Sequence, residues 1–278
     1  MSPRDMPLGI RRDMPAPEYH AIQALSASGL RLLRKSPAHY YGAVLDPARP
    51  QQEPTAAMRA GTLMHLCLFE PERVGALAVR PDGLDGRTKD GKAWTAEHAG
   101  REIVAAADLA TAQAQAAAVR AVPELGALMA HGYGESSAFW QDPATGVLCK
   151  CRPDWVSPAG DGVILVDGKT CQDASPEGFG RSVWTYAYHL QAAHYVAGFE
   201  AASGQRVHGF VFAAVESAYP HVAAAYMLFD DVLEAARREV RRLAHLYAEC
   251  KRAGHWPGYT AGINLVNLPK WAQLETAE

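Results

Sequence analysis

The sequence predicts a mixed α/β domain with a helical N-terminal part, and three observations carry that expectation. Before Gly134 apolar residues recur at helical spacing. After it they alternate or run together in short stretches bounded by turn signals, and a second helical pattern closes the chain. Helices before and after a central group of strands fit one mixed domain. At 278 residues the chain is ample for a full hydrophobic core.

Residues 1–25, rich in Pro, Arg and Asp, are expected to form a flexible arm, and 26–278 a single domain, mostly helical over 26–132 and sheet-containing over 133–278. Ser26-Ala27-Ser28 opens a short amphipathic helix through Lys35, with Leu30 and Leu33 on one face. Serine caps a helix start well, and Pro37 bars easy continuation. Pro47 to Pro54 reads as a loop. Thr55 to Phe69 has helical spacing, with His65 among apolar neighbours. Residues 81–93 are polar and Gly-rich, an exposed loop; the Ala-rich stretch from Thr95 to Val122 favours one or two surface helices. Strands follow at Ser137–Gln141, Val147–Val156 and Val163–Val166, separated by turns at 142–146 and 157–162. A helix over Tyr186–Ala202, strands at Val207–Glu216 and His221–Leu228, a helix over Asp230–Ala253 and an irregular tail through Trp271 complete the order.

Apolar residues make up 49% and charged ones 21%, the composition of a soluble globular protein. A net charge of −3 does not announce a nucleic-acid binder, but a basic groove on a mildly acidic body remains compatible with one. Five cysteines are an odd number without metal-finger spacing, and Cys149 and Cys151 share one face of a strand. They read as reduced thiols. No apolar run follows Arg4, Arg11 and Arg12, and no stretch approaches a membrane span, so a cytoplasmic location is expected. A phosphate-binding Gly-Lys loop, a Gly-x-Ser-x-Gly elbow, a His-Glu-x-x-His zinc motif around His189 and His194, and iron–sulfur cysteine spacing are all missing from the sequence.

The chemistry concentrates in Cys151-Arg152-Pro153-Asp154 and, across a turn, Val163-Ile164-Leu165-Val166-Asp167-Gly168-Lys169-Thr170. Asp167 and Lys169 are two apart on an extended strand and emerge on one face. Asp154 falls near the end of the preceding strand, so a bulge or splayed turn is expected to bring the carboxylates together. Two carboxylates and an ammonium at the end of an apolar strand are costly for structure alone. A hard divalent cation, Mg²⁺ or Mn²⁺, accounts for them, since it takes carboxylate oxygens and activates water against a phosphodiester.

Arg-Pro-Asp followed by an apolar strand ending Asp-Gly-Lys-Thr resembles the PD-(D/E)XK nuclease superfamily. More narrowly, the chain resembles the RecE (exodeoxyribonuclease VIII) type of phage and prophage exonuclease. Ser26–Leu30 with Ser36–Tyr40, Gly61–His65 with Leu68–Pro71, Glu135–Trp140, Tyr188–Tyr195 and Leu268–Ala272 match its segments in order, from about residue 26 to 272. The resemblance implies that Asp154, Asp167, the Gly168 carbonyl and His65 bind metal and that Lys169 is the catalytic lysine. It implies that Gln191 and Tyr195, one helical turn apart, support the site or touch DNA. Gly168 departs from the family, where a β-branched residue is usual.

The resemblance also implies digestion of double-stranded DNA ends, 5′ to 3′, leaving single-stranded tails for a partner annealing protein. A ring-like homo-oligomer, trimer or tetramer, goes with it. A restriction- or repair-type endonuclease and a catalytically inactive DNA-end-binding module are the alternatives.

Further candidates surround this set. Glu70 and Glu135 are lesser acids. Ser26, Ser28 and Arg31 are placed to hold a 5′-phosphate at a helix N-terminus, although capping explains the serines equally well. Lys150 and Arg152 alternate beside Asp154 and are expected on the DNA backbone. Arg237, Arg238, Arg241 and Arg242 form a basic stripe that reads as a solvated helix face.

Overall fold

The computed structural model describes residues 8–12, 14–50, 53–259 and 262–268. The helical part contains β1 (Gly9–Arg11), α1 (Ala16–Ala21), α2 (Ala27–Lys35), α3 (Pro37–Tyr40), α4 (Ala56–Phe69), β2 (Ala78–Arg80), α5 (Lys89–Glu97), β3 (Ile103–Ala105), α6 (Ala106–Ala121) and α7 (Pro123–Met129). Then come β4 (Tyr133–Gly134), β5 (Ser137–Gln141), β6 (Leu148–Cys151), β7 (Trp155–Ala159), β8 (Gly162–Cys171), α8 (Pro176–Thr185), α9 (Tyr188–Ser203), β9 (Arg206–Glu216), β10 (Ala223–Tyr226) and α10 (Asp230–Ala253).

A five-stranded sheet, β10-β9-β8-β7-β4, forms the centre, with a three-stranded sheet β1-β5-β6 and a pair β2-β3 beside it. In the central sheet β8 and β9 run parallel and the other neighbours antiparallel. A parallel pair needs a long crossover, which α8 and α9 supply. Alternation along the strands then sorts two cores. Leu165, Phe210, Phe212 and Ala214 pack with α2, α9 and α10. Val166, Val211, Ala213 and Val215 pack with α4 and α6. Burial on both faces is why Val163–Val166 reads as an unbroken apolar run.

Ser26 caps α2, as its sequence signal predicts, and Thr55 caps α4, each accepting a backbone N–H three residues on. Other expectations need correction. The stretch 147–156 is not one strand. Pro153 has no N–H to give a ladder, and the chain leaves β6 in one sheet to enter β7 in the other. Asp167 does not end its strand, because β8 continues to Cys171. The supposed loop 81–93 turns helical at Lys89, where the Thr88 hydroxyl accepts from the Gly91 N–H. Helix α8 was not anticipated, since Gly178 and Gly180 weaken its pattern, although Ser175-Pro176 is a helix-start signal.

Nor are the described residues of 8–25 a loose arm. Strand β1 pairs with β5, and Leu25 bridges Cys149. The Lys150 ammonium donates to the carbonyls of Tyr19 (2.8 Å) and Ile22 (2.7 Å), and Arg152 donates to that of Met14 (2.8 Å). Both cations lie over the Tyr19 ring, 4.6 and 4.4 Å from its centroid. Composition hides this, because the partners that order the segment lie more than a hundred residues away.

All five cysteines are free thiols. Among the described residues no helix is long and apolar enough to cross a membrane. Residues 269–272, which complete the last matched segment of the sequence, lie outside the described residues.

Candidate active site

The site is built where β7 and β8 meet between α4 on one face and α9 on the other. Trp155 pairs with Val166 at the start of β7, so Asp154, one residue before that pair, and Asp167, one residue after it, stand at the same end of the hairpin. Asp167 lies on the Leu165 face of β8, where Gln191 of α9 reaches it, whereas Asp154, in the bend before β7, reaches His65 of α4. The one irregularity of β8 falls between Val163 and Ile164, in its pairing with β9.

Asp167 is 1% exposed and Asp154 9%. The Lys169 ammonium, two residues along the same strand, donates to Asp167 Oδ2. Asp167 Oδ1 accepts from Gln191 Nε2 on α9 at 2.6 Å. Asp154 Oδ2 accepts the Gly168 backbone N–H at 2.8 Å and faces His65 Nδ1 at 3.3 Å. The other imidazole nitrogen, Nε2, lies 3.0 Å from the Gly168 carbonyl oxygen. Asp154, Asp167, Lys169, Gln191, His65 and Gly168 are therefore one connected cluster.

Gly168 now has a steric cause. A Cβ there would lie 2.9 Å from Phe69 Cε2 and 3.2 Å from His65 Nε2. Glycine lets α4 pass close over β8 and delivers His65 to the carboxylates. Arg120 on α6 holds the end of α4 by donating to the carbonyls of Cys67 (2.9 Å) and Leu68 (2.6 Å), the groups a helix C-terminus leaves unpaired.

The cluster polarises its members. Burial, reinforced by the charge of Asp154 and only partly offset by Lys169, pushes Asp167 up to about 6. Against the burial that would raise it, His65 and Lys169 hold Asp154 below the usual carboxylate range. Burial opposes the charged forms of His65 and Lys169 as well, but Asp154 raises the first, and Asp167 with Asp154 raises the second. Lys169 thus stays an ammonium.

Among the described residues no three His, Cys, Asp or Glu side chains converge as a ready metal cage. Lys169, Gln191, His65 and the Gly168 N–H engage the carboxylate oxygens instead. The donor set still suits a hard divalent cation, with two neighbouring carboxylates, a carbonyl and an imidazole. Burial, with the Asp154 charge added to it, makes Asp167 reluctant to ionise, and a cation would favour the ionised form.

The remaining expected residues divide. Tyr195 lines the groove that reaches Lys169 and packs edge-on against Phe210 at 5.9 Å. Ser26, Ser28 and Arg31 line the same groove of about 1310 Å³. The Ser26 and Ser28 hydroxyls lie 2.9 Å apart, and Ser26 also caps α2. Lys150 and Arg152 are not free for DNA. Lys150 is 6% exposed, and Arg152 is tied to Ser137 Oγ, Glu135 and Met14. Glu135, in a left-handed conformation at φ 51°, takes the Asp154 carbonyl on its N–H at 3.2 Å. Burial, then the charge of Asp154, pushes its carboxyl up. Glu70 pairs with Arg73. In the basic stripe Arg237 and Arg242 pair with Glu234 and Glu239 on their own helix, as a solvated face does. Tyr188, whose ring lies 4.8 Å from Lys169 Nζ, was missed. Its place three residues before Gln191, on the same helix face, is the signal that marks it.

An Asp–Asp–Lys set on a hairpin, buried in a mixed sheet with helices on both faces, defines a PD-(D/E)XK nuclease-like fold. The chain belongs to the family described as "PDDEXK-like domain of unknown function (DUF3799)", whose profile matches residues 26–269. Among solved structures it is similar to a provisionally named exonuclease from Eubacterium rectale. The TM-score is 0.61 at 13% identity, over 93% of this chain and 96% of that one, so the two share a fold. SSO0001 overlaps more weakly, with a TM-score of 0.30 at 12% identity over 78% of this chain and 85% of that one, and carries no argument. No curated protein matches the chain.

Proposed function

We propose that the chain is a metal-dependent DNA nuclease of the RecE type, digesting linear double-stranded DNA from its ends, 5′ to 3′. The observation that carries the reading is the Asp154–Asp167–Lys169 cluster, whose Lys169 lines the groove. The provisional exonuclease name of the Eubacterium rectale structure is compatible with it.

Asp154 and Asp167, with the Gly168 carbonyl and His65, would hold Mg²⁺ or Mn²⁺. The ion supplies Lewis-acid polarisation of the phosphodiester and a more acidic bound water. The protein residues do the rest. Lys169, ion-paired with Asp167 two residues along the same strand, would orient the attacking water or steady the charge that builds on phosphorus. Gln191 fixes the rotation of Asp167 through Oδ1. Ser26, Ser28 and Arg31, on the groove wall, receive the terminal phosphate. On the same reading the product tail passes to a single-strand annealing protein, and subunits close into a trimeric or tetrameric ring around the duplex.

The test compares a 5′-labelled linear duplex with covalently closed circular DNA, in Mg²⁺ and in EDTA. Metal-dependent loss of the linear substrate alone is the expected result. Cutting of the circle makes the protein an endonuclease, and cleavage of neither makes it a binding module. Asp167→Ala retaining normal cleavage would falsify the site assignment.

A further inference from the structure

The junction between α8 and α9 carries three aromatic residues in alternation, Trp184, Tyr186 and Tyr188, that no metal or acid–base role accounts for. Ala187 between the two tyrosines is left-handed at φ 57° with its side chain buried. A non-glycine residue adopts that conformation only at an energetic cost, so the surrounding packing must hold it there.

The consequence is geometric. The Tyr186 and Tyr188 rings stack at 5.6 Å between centroids and 28° between planes. Tyr188 is anchored on Phe179 and Phe212, at 6.1 and 5.8 Å, and its ring faces Lys169. Tyr186 is 51% exposed and lines the groove mouth. From Lys169 outward the order is therefore ammonium, anchored ring, exposed ring, open groove. Two residues before Tyr186, the Arg34 guanidinium lies 4.2 Å over the 67%-exposed Trp184.

We propose that Tyr186 and Tyr188 form a stacking platform for an unpaired nucleobase of the strand whose phosphate reaches Lys169. The inference rests on the nuclease reading above. Flat aromatic faces beside cations are how single strands are held without sequence preference. Bases inside a duplex already stack on each other, so the platform selects a base that has left its pair. The enzyme thereby takes the strand to be cut in a frayed state.

The test uses a duplex with a short unpaired 5′ end carrying 2-aminopurine at its last position, bound in Ca²⁺. Unaltered protein quenches the fluorescence on binding. Tyr186→Ala loses the quenching and binds about 5- to 100-fold more weakly, while Tyr186→Phe keeps both. Because Tyr186 is half exposed, the alanine variant folds, and its circular dichroism checks that. Equal quenching and affinity in Tyr186→Ala would overturn the platform while leaving the nuclease reading standing. Failure of the unaltered protein to bind any DNA would overturn both.

Discussion

Lys169 and Lys150 line the same groove, are both largely buried, and play opposite parts. The Lys169 ammonium faces two carboxylates, which hold it charged against burial. The Lys150 ammonium faces two carbonyl oxygens, and burial, then the charge of Arg152, pushes it down to about 8. Carbonyl dipoles accept its hydrogen bonds without supplying the full opposing charge that would keep its proton. A lysine against carboxylates is a poised cation beside the reacting centre; a lysine against carbonyls is a fastener for the N-terminal segment. Burial and residue type alone do not separate them.

The contrast breaks most visibly at Lys169. Lys169→Met should lower the cleavage rate on the order of 10²–10³-fold or more, with circular dichroism showing the fold retained. Activity within tenfold of the parent would mean that Lys169 is no better placed than Lys150. Lys150→Met should act on stability instead. Each carbonyl left unpaired costs about 1–3 kcal/mol, so urea unfolding should shift to lower midpoint while cleavage per folded molecule falls less than tenfold. Loss of cleavage as complete as at Lys169 would erase the distinction.

A third test addresses the strand that carries Lys150. His194 Nε2 lies 3.1 Å from the Lys150 carbonyl oxygen, and burial pushes the imidazole down to about 4. The unfolded chain takes a proton near 6.5. Between these values the unfolded state binds more protons, so stability present above 6.5 is lost as pH falls toward 4, by roughly 3 kcal/mol at most. His194→Gln should flatten that part of the stability profile; an unchanged slope between pH 7 and 4.5 assigns the acid sensitivity elsewhere. The smallest effect is expected at Gly168. Gly168→Ala displaces Phe69 and His65 at a cost of about 1–2 kcal/mol and weakens Mg²⁺ binding, measurable by calorimetry. Unaltered Mg²⁺ affinity would remove His65 from the proposed ligand set.

Much of the fold was legible because its long elements obey a period. The α4 pattern from Thr55 to Phe69, and α10 over Asp230–Ala253, stand where their apolar spacing puts them. Asp167 and Lys169 were legible as a pair because two residues on a strand share a face. What the sequence hid depends on distant partners. The split at Pro153 looks like one strand until the two sheets are seen, and Lys150 looks like a phosphate contact until the Tyr19 and Ile22 carbonyls are found beneath it. The Gly168 substitution, read as a weak strand residue, is explained only by a helix about a hundred residues earlier.

Strand β1 covers the outer edge of β5, and the family match begins only at Ser26. A protein trimmed to that boundary would bare the β5 edge, and unpaired edges recruit foreign strands. Clumping of such a shortened chain would then reflect an uncapped sheet, and should not be mistaken for ring assembly around DNA.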